Sequence, residues 1–456
     1  MPRTPEDLYV ASDADTGRYC VRVPPAPAYI LSNAHIPASL TDEAAPTNAL
    51  LARDIVIEQG KILAIRPCGD HEHSTRLPVV DLRGGLALPR FVDVHTHLDK
   101  GHIWARSPNP DGGFFGARQA VAEDREARWT AQDVAARMDF ALRCAFAHGT
   151  GALRTHIDSI GKQTAISWPV FEDMRQSWRG RIDLQAVSLC PIDLMVDDEP
   201  QFRDIVRAVA RAGGSLGGVS FLGRAPDEKL LAGLDLLFTA ASANGLDIDL
   251  HVDESNSADA RSLEAIADAA LRHKFAGKVV AGHCCSLALA SDEDRARIIS
   301  KVAEAGVAIV SLPMCNMYLQ DRAPGRTPRW RGVAPLHELA AAGANVMVAS
   351  DNTRDPFYAY GDLDMIEVFR EATRILHFDH CDRPWTRTLG RTSAEIMGLP
   401  ERGRLFAGGP ADMVLVGARS LYELVARPQS DRVVLVAGQP VSTLLPDYRE
   451  LDSMPV

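Results

Sequence analysis

The sequence predicts an α/β protein in which a (β/α)8 TIM barrel is accompanied by a small β-sandwich domain formed from both ends of the chain. Short apolar runs alternate with helical stretches rich in Ala, Leu and Arg across the middle of the chain, and strand-like runs recur near both termini. With 456 residues, the chain is long enough for one large domain and a smaller one. We assign residues 87–400 to the barrel, and residues 1–86 and 401–456 to the small domain.

Strand-like runs at the two ends of the chain predict the small domain. These runs lie at 29–36, 54–67, 412–416 and 432–436. Gln59-Gly60 interrupts the second run as a hairpin turn would, and a polar, Pro-rich arm precedes the first run. Because a long and different region separates the two pairs of runs, the sequence predicts one sheet built from both termini.

Eight strand candidates at near-constant intervals predict the barrel. They lie at 91–95, 152–156, 182–188, 217–221, 246–251, 279–283, 307–311 and 345–351. Their ends advance by 61, 32, 33, 30, 32, 28 and 40 residues, which leaves room for a helix between successive strands. The longer first step accommodates a loop, and residues 101–118, rich in Gly, Pro and Asn, have the composition of one.

Composition and charge narrow the range of partners and locations. The chain carries 49 Lys and Arg against 60 Asp and Glu, a net charge of -11, which argues against nucleic acid or an anionic membrane as a partner. No apolar stretch approaches the ~20 residues of a membrane span, and the acidic N-terminus lacks the apolar core of a signal peptide. The eight cysteines show no CxxC spacing, so we expect reduced thiols in a cytoplasmic protein.

Polar residues at the predicted strand ends form a candidate metal site. The first strand ends in His95-Thr96-His97, and later strands end in segments that contain His251, His283 and Asp351. Barrel active sites lie at the carboxyl ends of the strands, so these side chains should converge. Imidazoles with a carboxylate suit Zn²⁺ or Fe²⁺, whereas Mg²⁺ and Ca²⁺ prefer oxygen ligands. A single His at a strand end is more often a core residue, so the prediction depends on the joint occurrence of four such hits.

Several segments resemble the amidohydrolase superfamily and, within it, the cytosine deaminase branch. Residues 88–100, LPRFVDVHTHLDK, are similar to the opening signature of the superfamily. The segments similar to the cytosine deaminase branch are GALRTHID at 151–158, HVDE at 251–254, GHCCS at 282–286, NMYLQDR at 316–322 and SDNTRDPF at 350–357. Gly409-Pro410-Ala411-Asp412 fits the return of such chains into their sheet domain. The resemblance therefore spans most of the chain.

The resemblance implies a role for each matching residue. The implied ligands of one divalent ion, Zn²⁺ or Fe²⁺, are His95, His97, His251 and Asp351. Glu254 is implied as the proton shuttle, and His283 as a group that hydrogen-bonds the attacking water or the developing tetrahedral centre. Two-metal relatives carry a carboxylated lysine at the end of the fourth strand, where this chain has the residues VSFL, so a single ion is expected.

The chemistry of these residue types agrees with the implied roles. A bound divalent ion can lower the pKa of its water to about 7, which provides metal-bound hydroxide to attack an amine-bearing ring carbon. Asp351 can then accept the proton of that water, and Glu254 can protonate a ring nitrogen and the leaving amine. Considered alone, each of these two carboxylates could instead cap a following helix.

Four further residues are candidates for substrate binding: Gln185, His156, Asn352 and Phe357. Gln185 lies in the third strand, where the family places an amide that reads a pyrimidine edge, and a buried amide without a partner would be costly. Asn352 stands where cytosine deaminases have a second Asp, which predicts a different or larger amino-substituted ring. His156 and Asp158 could be polar groups of the pocket or a buried structural pair.

The leading prediction is a metal-dependent hydrolytic deaminase that releases ammonia from a pyrimidine-like, triazine-like or pterin-like small molecule. The alternatives are hydrolysis of an N-alkyl amine or a cyclic amide at the same mononuclear site. Outside enzymes, the alternative is a catalytically silent barrel scaffold, which would be expected to lose ligands that this chain retains. Such barrels often form homo-oligomers, although the sequence reveals no interface.

Overall fold

The computed structural model of the chain describes residues 8–10, 21–46, 48–69, 77–220, 223, 225–380 and 382–453. Two compact units are present. One combines Met1–Val92, Ala145–Ala152 and Asp364–Leu445, and the other combines Asp93–Cys144, Leu153–Leu363 and Pro446–Val456. Among the described residues, no helix has the length and apolar character required to cross a membrane.

The strands of the described residues fall into three hydrogen-bonded sheets. In chain order they are β1 (Leu8–Val10), β2 (Ala28–Pro37), β3 (Leu50–Glu58), β4 (Lys61–Pro67), β5 (Val79–Asp81), β6 (Leu86–Pro89), β7 (Phe91–Thr96), β8 (Thr150–Asp158), β9 (Asp183–Leu189), β10 (Leu216–Val219), β11 (Ile248–Val252), β12 (Val279–His283), β13 (Ala308–Ser311), β14 (Val346–Val348), β15 (Met413–Val416), β16 (Val433–Val436) and β17 (Gln439–Pro440).

Strands β7 to β14 close into a parallel barrel. They form a sheet of order β7-β8-β9 and a sheet of order β10-β11-β12-β13-β14. Parallel bridges join the two sheets: Val187 pairs with Ser215, and Thr96 pairs with Asp351, which connects the first strand to the last. The TIM barrel predicted from the sequence is therefore confirmed, and the observed strand bounds lie within a few residues of the predicted ones. The last residue of the predicted fourth strand, Phe221, lies outside the described residues.

Helices fill the connections, and most of them bury an apolar face. In chain order they are α1 (Phe114–Arg128), α2 (Ala131–His148), α3 (Gln163–Ser177), α4 (Ile192–Asp197), α5 (Glu199–Ala212), α6 (Glu228–Asn244), α7 (Ser262–Arg272), α8 (Asp292–Glu304), α9 (Pro313–Leu319), α10 (Leu336–Ala341), α11 (Met365–Leu376), α12 (Arg391–Met397) and α13 (Leu421–Ala426). The segment predicted as a loop at 101–118 gives way to α1 at Phe114, so its last five residues are helical instead.

The first unit contains one nine-stranded sheet that combines β1 to β6 with β15, β16 and β17. Alternation along β2 sends Tyr29 and Leu31 into one hydrophobic cluster and Ile30 into another, as expected for a strand buried on both faces. The predicted hairpin turn at Gln59-Gly60 is confirmed, because both residues have positive φ and join the antiparallel strands β3 and β4.

Candidate metal and active site

Three imidazoles and one carboxylate meet at the carboxyl ends of the barrel strands. His95 and His97 lie at the end of β7, His251 lies in β11, and Asp351 follows β14. Nε2 of His251 is 3.2 Å from Nε2 of His95 and 3.1 Å from Nε2 of His97. Asp351 Oδ1 lies 3.2 Å from His97 Nε2 and 3.7 Å from His95 Nε2. The four residues predicted as metal ligands are thus brought together.

The last strand reaches the cluster through an unusual backbone conformation. Asp351 has φ of 65°, in the left-handed region that a non-glycine residue rarely adopts. Its N–H donates to the carbonyl of His95 at 2.9 Å. The buried Asp93 carboxylate accepts from both the backbone N–H and the hydroxyl of Ser350, the residue before Asp351. These bonds hold the left-handed turn and aim Asp351 at the histidines, as is common for strained residues at functional sites.

The geometry of this cluster fits a divalent ion. The separations of 3.1–3.2 Å between Nε2 atoms are close to the roughly 3.3 Å between ligands of a tetrahedral ion bound at ~2.0–2.1 Å. Within the described residues, neither oxygen of Asp351 accepts a conventional hydrogen bond, so both are available to a cation. A set of imidazole nitrogens and one carboxylate suits Zn²⁺ or Fe²⁺.

Burial sets the protonation of the cluster. It lowers the pKa of His95, His97 and His251 well below the usual value, and neighbouring cationic groups act in the same direction. The three rings are therefore neutral at pH 7, which is the form that binds a metal. Burial raises the pKa of Asp351 to about 7.

A second group of polar residues lies beside the cluster. Glu254 follows β11 and is buried, and burial together with the charge of Asp351 raises its pKa well above the usual range. Asn316, on α9, donates from Nδ2 to Glu254 Oε1 at 3.2 Å, and the same nitrogen lies 2.9 Å from His283 Nδ1. The helix-capping role considered for Glu254 belongs instead to Asp253, whose carboxylate accepts from two backbone N–H groups at the start of α7.

The residues predicted to read substrate separate into two groups. Asn352 and Phe357 line a cavity of about 780 Å³ that also borders His97, His251 and Glu254. Gln185 lies near the start of β9, four residues before the strand ends, and is not among the residues that line this cavity. Its carboxamide oxygen accepts from Arg154 at 3.0 Å, so the buried amide is satisfied within the barrel.

His156 likewise is not among the residues that line this cavity. Its ring centroid is 4.0 Å from that of His95, and its Nε2 is 3.7 Å from Asp249 Oδ1. Asp158 by contrast borders the cavity and pairs with Arg125 at 2.7 Å. The two residues therefore do not form the structural pair considered from the sequence, because they occupy different layers of the barrel.

The cavity continues away from the metal cluster between two walls. One wall is a face of α1 that carries Phe114, Arg118, Val121 and Arg125. The other is the segment after β9, including Pro191 to Leu194. The cavity and cluster residues that received no role from the sequence include Lys100, Arg118 and Asn316. For two of them a local signal existed, because Lys100 ends the first matching motif and Asn316 begins NMYLQDR.

Comparison with known proteins agrees with the geometry. Residues 212–442 match the model of the amidohydrolase family. The chain is 55% identical to the pterin deaminase of Rhizobium rhizogenes strain K84, over 94% of this chain and 98% of that protein. The chain belongs to the amidohydrolase family. The predicted superfamily, its cytosine deaminase-like branch, and a hydrolase of carbon–nitrogen bonds outside peptides are thereby confirmed.

Solved structures of this family share the fold over nearly the whole chain. The 5-methylcytosine deaminase of Klebsiella pneumoniae with 5-fluorocytosine superposes with a TM-score of 0.77 at 23% identity, covering 92% of this chain and 98% of that one. The N-isopropylammelide isopropylaminohydrolase of Burkholderia multivorans superposes with a TM-score of 0.71 at 26% identity, covering 92% and 100%.

Proposed function

We propose that this amidohydrolase is a metal-dependent hydrolytic deaminase whose substrate is a pterin-like ring. The observation that carries the proposal is the buried triad of imidazole nitrogens, 3.1–3.2 Å apart, with Asp351 and Glu254 beside it at the base of the cavity. The 55% identity to a pterin deaminase supports the choice of ring. The reaction adds water across the ring C–NH₂ bond, leaving a ring carbonyl and releasing ammonia.

The ion would be held by His95, His97, His251 and Asp351. One divalent ion, Zn²⁺ or Fe²⁺, suits this nitrogen and oxygen donor set. When bound, such an ion supplies an activated water as the nucleophile.

The proton transfers fall to residues of the chain. Glu254 is the proton shuttle, because its raised pKa lets it hold a proton near neutral pH and deliver it to a ring nitrogen. The two protons that the attacking water loses by way of Asp351 then reprotonate Glu254, the first to be passed to the leaving amine and the second to restore the starting state. His283, which borders the cavity, donates a hydrogen bond to the oxygen that becomes the ring carbonyl.

Release of an N-alkyl amine is the second candidate. It is favoured by the similarity, at 26% identity, to an N-isopropylammelide isopropylaminohydrolase, and it would use the same residues. The two candidate reactions differ in the leaving group, which is ammonia in the first and an alkylamine in the second. Comparing substrates that carry a free amine with substrates that carry an alkylated amine therefore distinguishes them.

The test is ammonia release by protein of known metal content, loaded separately with Zn²⁺ and Fe²⁺. The panel holds pterin, 5-methylcytosine, isocytosine, an aminotriazine and N-isopropylammelide. We expect metal-dependent ammonia release with pterin preferred, and a roughly 10²- to 10⁴-fold lower kcat in Glu254→Gln protein that keeps its metal. Glu304→Gln, at an exposed position on α8, is the control. Full turnover by the Glu254→Gln protein would remove Glu254 as the shuttle, and amine release only from N-isopropylammelide would favour the second candidate.

Features of the whole protein complete the proposal. We propose a small β-sandwich domain built from residues 1–86 and 401–456, and a barrel domain of residues 87–400. The protein acts in the cytoplasm as a homo-oligomer, on a small molecule and without nucleic acid or a membrane as partner. Native mass spectrometry and limited proteolysis test the assembly and the domain boundaries.

A further inference from the structure

A buried ammonium group faces the cavity. Lys100 is only 5% exposed and borders the cavity next to His97. Its Nζ lies 4.6 Å from the ring centroid of Phe357, and within the described part of the chain it makes no hydrogen bond and no ion pair. Its charge interacts with the Asp351, Glu254 and Asp355 carboxylates without a hydrogen bond to any of them, so its N–H donors remain available to an acceptor of a ligand.

The neighbouring loop presents a complementary acceptor. Asn352 Nδ2 donates to Asp355 Oδ2 at 2.6 Å, and Asp355 Oδ1 accepts from the backbone N–H groups of Phe357 and Tyr358. Because the Asp355 carboxylate acts as an acceptor, the atom of the Asn352 amide that faces it must be the nitrogen. The carbonyl oxygen of Asn352 accepts, among the described residues, from the Cys315 thiol at 3.6 Å, which leaves one of its two lone pairs for a ligand.

The donor and the acceptor are held on adjacent loops. The segment after β7 hydrogen-bonds to the segment after β14 through His102 N to Thr353 O at 3.0 Å and Trp104 N to Arg354 O at 2.8 Å. Lys100 and Asn352 both border the same cavity, with the Phe357 ring as an apolar surface beside them. An ammonium donor and an amide acceptor side by side complement the C=O and N–H of a cyclic amide.

We propose that Lys100 and Asn352 together read a lactam edge of the substrate, so that the substrate is an amino-substituted ring bearing a ring carbonyl next to a ring N–H. Lys100 donates to the carbonyl oxygen, Asn352 accepts from the N–H, and the ring packs on Phe357. This inference rests on the proposed function and narrows it to the 2-amino-4-oxo arrangement of pterin and isocytosine. The cavity of about 780 Å³ falls in the size class of larger ligands, which favours a bicyclic or substituted ring over a bare pyrimidine.

The test compares pterin with 2-aminopteridine, which lacks both the ring carbonyl and the adjacent ring N–H of the lactam. Lys100→Met removes the ammonium and keeps the length of the side chain. Arg118→Met is the matched control, because Arg118 also borders the cavity and the substitution changes the net charge equally. We expect Lys100→Met to lower kcat/KM for pterin roughly 10- to 100-fold and for 2-aminopteridine less than about 3-fold, as for loss of one charge-assisted hydrogen bond. Arg118→Met should leave unchanged the ratio of the kcat/KM values for the two rings.

Binding is measured in parallel, so that the inference and the proposed function can fail separately. The affinities of both rings for metal-loaded Glu254→Gln protein, with and without Lys100→Met, come from pterin fluorescence, and circular dichroism checks folding. The inference would be overturned if Lys100→Met lowered kcat/KM and affinity equally for both rings, or for neither. It would also be overturned if Arg118→Met produced the same selective loss for pterin. Absence of ammonia release from every ring would contradict the proposed function, while a wild-type preference for pterin in binding that Lys100→Met abolishes would still support the lactam contact.

Discussion

The side-chain nitrogen of Asn316 lies 2.9 Å from Nδ1 of His283, within hydrogen-bond distance. An amide nitrogen can only donate, so Nδ1 of His283 accepts and the neutral ring carries its proton on Nε2. Burial lowers the pKa of His283 to about 3, which keeps the ring neutral at pH 7. Because His283 borders the cavity, its Nε2–H is available as a hydrogen-bond donor toward the substrate.

Asn316→Ala should therefore lower kcat roughly 10- to 100-fold with a smaller change in KM, the size typical of lost outer hydrogen bonds at metal sites. The substitution removes the hydrogen bond that holds the proton of His283 on Nε2, and it also removes the donor to Glu254. Steady-state kinetics measure the loss, and ¹⁵N NMR of His283 reports the tautomer. Asn244→Ala, which removes only an amide contact to Ala240 O at the end of α6, is the control. Wild-type kcat together with an unchanged His283 spectrum would contradict the positioning role.

The barrel and the metal cluster were predictable because both follow from one-dimensional regularities. Strand spacing near 30 residues sets the barrel, and the rule that strand ends converge brings His95, His251 and Asp351 together. A two-residue alternation then identifies His97 as a companion of His95.

The layer in which a side chain lies was not predictable, as Gln185 and Asn316 illustrate. Gln185 belongs to a barrel strand whose end was predicted to within one residue, but its side chain lies four residues before that end and bonds to Arg154, a contact that exists only after tertiary packing. Asn316 reaches Glu254 from α9, a helix that is remote in sequence, so the contact exists only after tertiary packing. The position of a motif therefore predicts which residues belong to a site more reliably than it predicts where their side chains point.

Gly282 borders the metal cluster so closely that a side chain there should disturb it. A Cβ at this position would lie 2.9 Å from Cε1 and 3.2 Å from Nδ1 of His95. We expect Gly282→Ala to displace the His95 ring and to weaken metal affinity roughly 10- to 100-fold. Metal content after dialysis against a calibrated chelator measures the change. Gly218→Ala, crowded by Cys190 O and Met195 instead, should keep its metal, and equal losses in both variants would refute the specific effect.

Removal of the ion should destabilise the protein through linkage. An ion that binds only the folded state adds about 2.7 kcal/mol to the free energy of unfolding when it is present at ~100 times its Kd. Thermal denaturation with excess Zn²⁺ and with a chelator should therefore give different Tm values for the wild type. His251→Ala should lose this dependence, whereas His380→Ala, at a position 82% exposed, should retain it. An equal Zn²⁺ effect in His251→Ala and wild type would argue against the assigned ligands.

A buried ion pair in the first unit gives a prediction about pH. Both carboxylate oxygens of Asp364 accept from Arg432, at 2.6 Å and 2.7 Å, and the Oδ1 atom also caps α11 through the N–H of Ile366. Burial alone would raise the pKa of Asp364, but the guanidinium of Arg432 outweighs it and lowers that pKa below the usual value. A carboxyl whose pKa is lower when folded stabilises the protein above its unfolded pKa of about 3.9, and this contribution is lost as the pH falls toward the folded value.

Asp364→Asn keeps an oxygen for the helix cap but leaves the buried guanidinium without a counter-charge. We expect the free energy of unfolding to fall by ~3–5 kcal/mol at pH 7. The difference from wild type should begin to narrow as the pH falls below about 3.9, because the carboxyl of the unfolded wild-type chain then binds a proton that the folded carboxyl does not. Urea unfolding of both proteins between pH 3 and pH 7 measures this difference in the free energy of unfolding. Glu126→Gln, which breaks the exposed pair with Lys162, should leave the free energy of unfolding nearly unchanged throughout. A difference that stays constant across this pH range would show that the Asp364 charge is not its source.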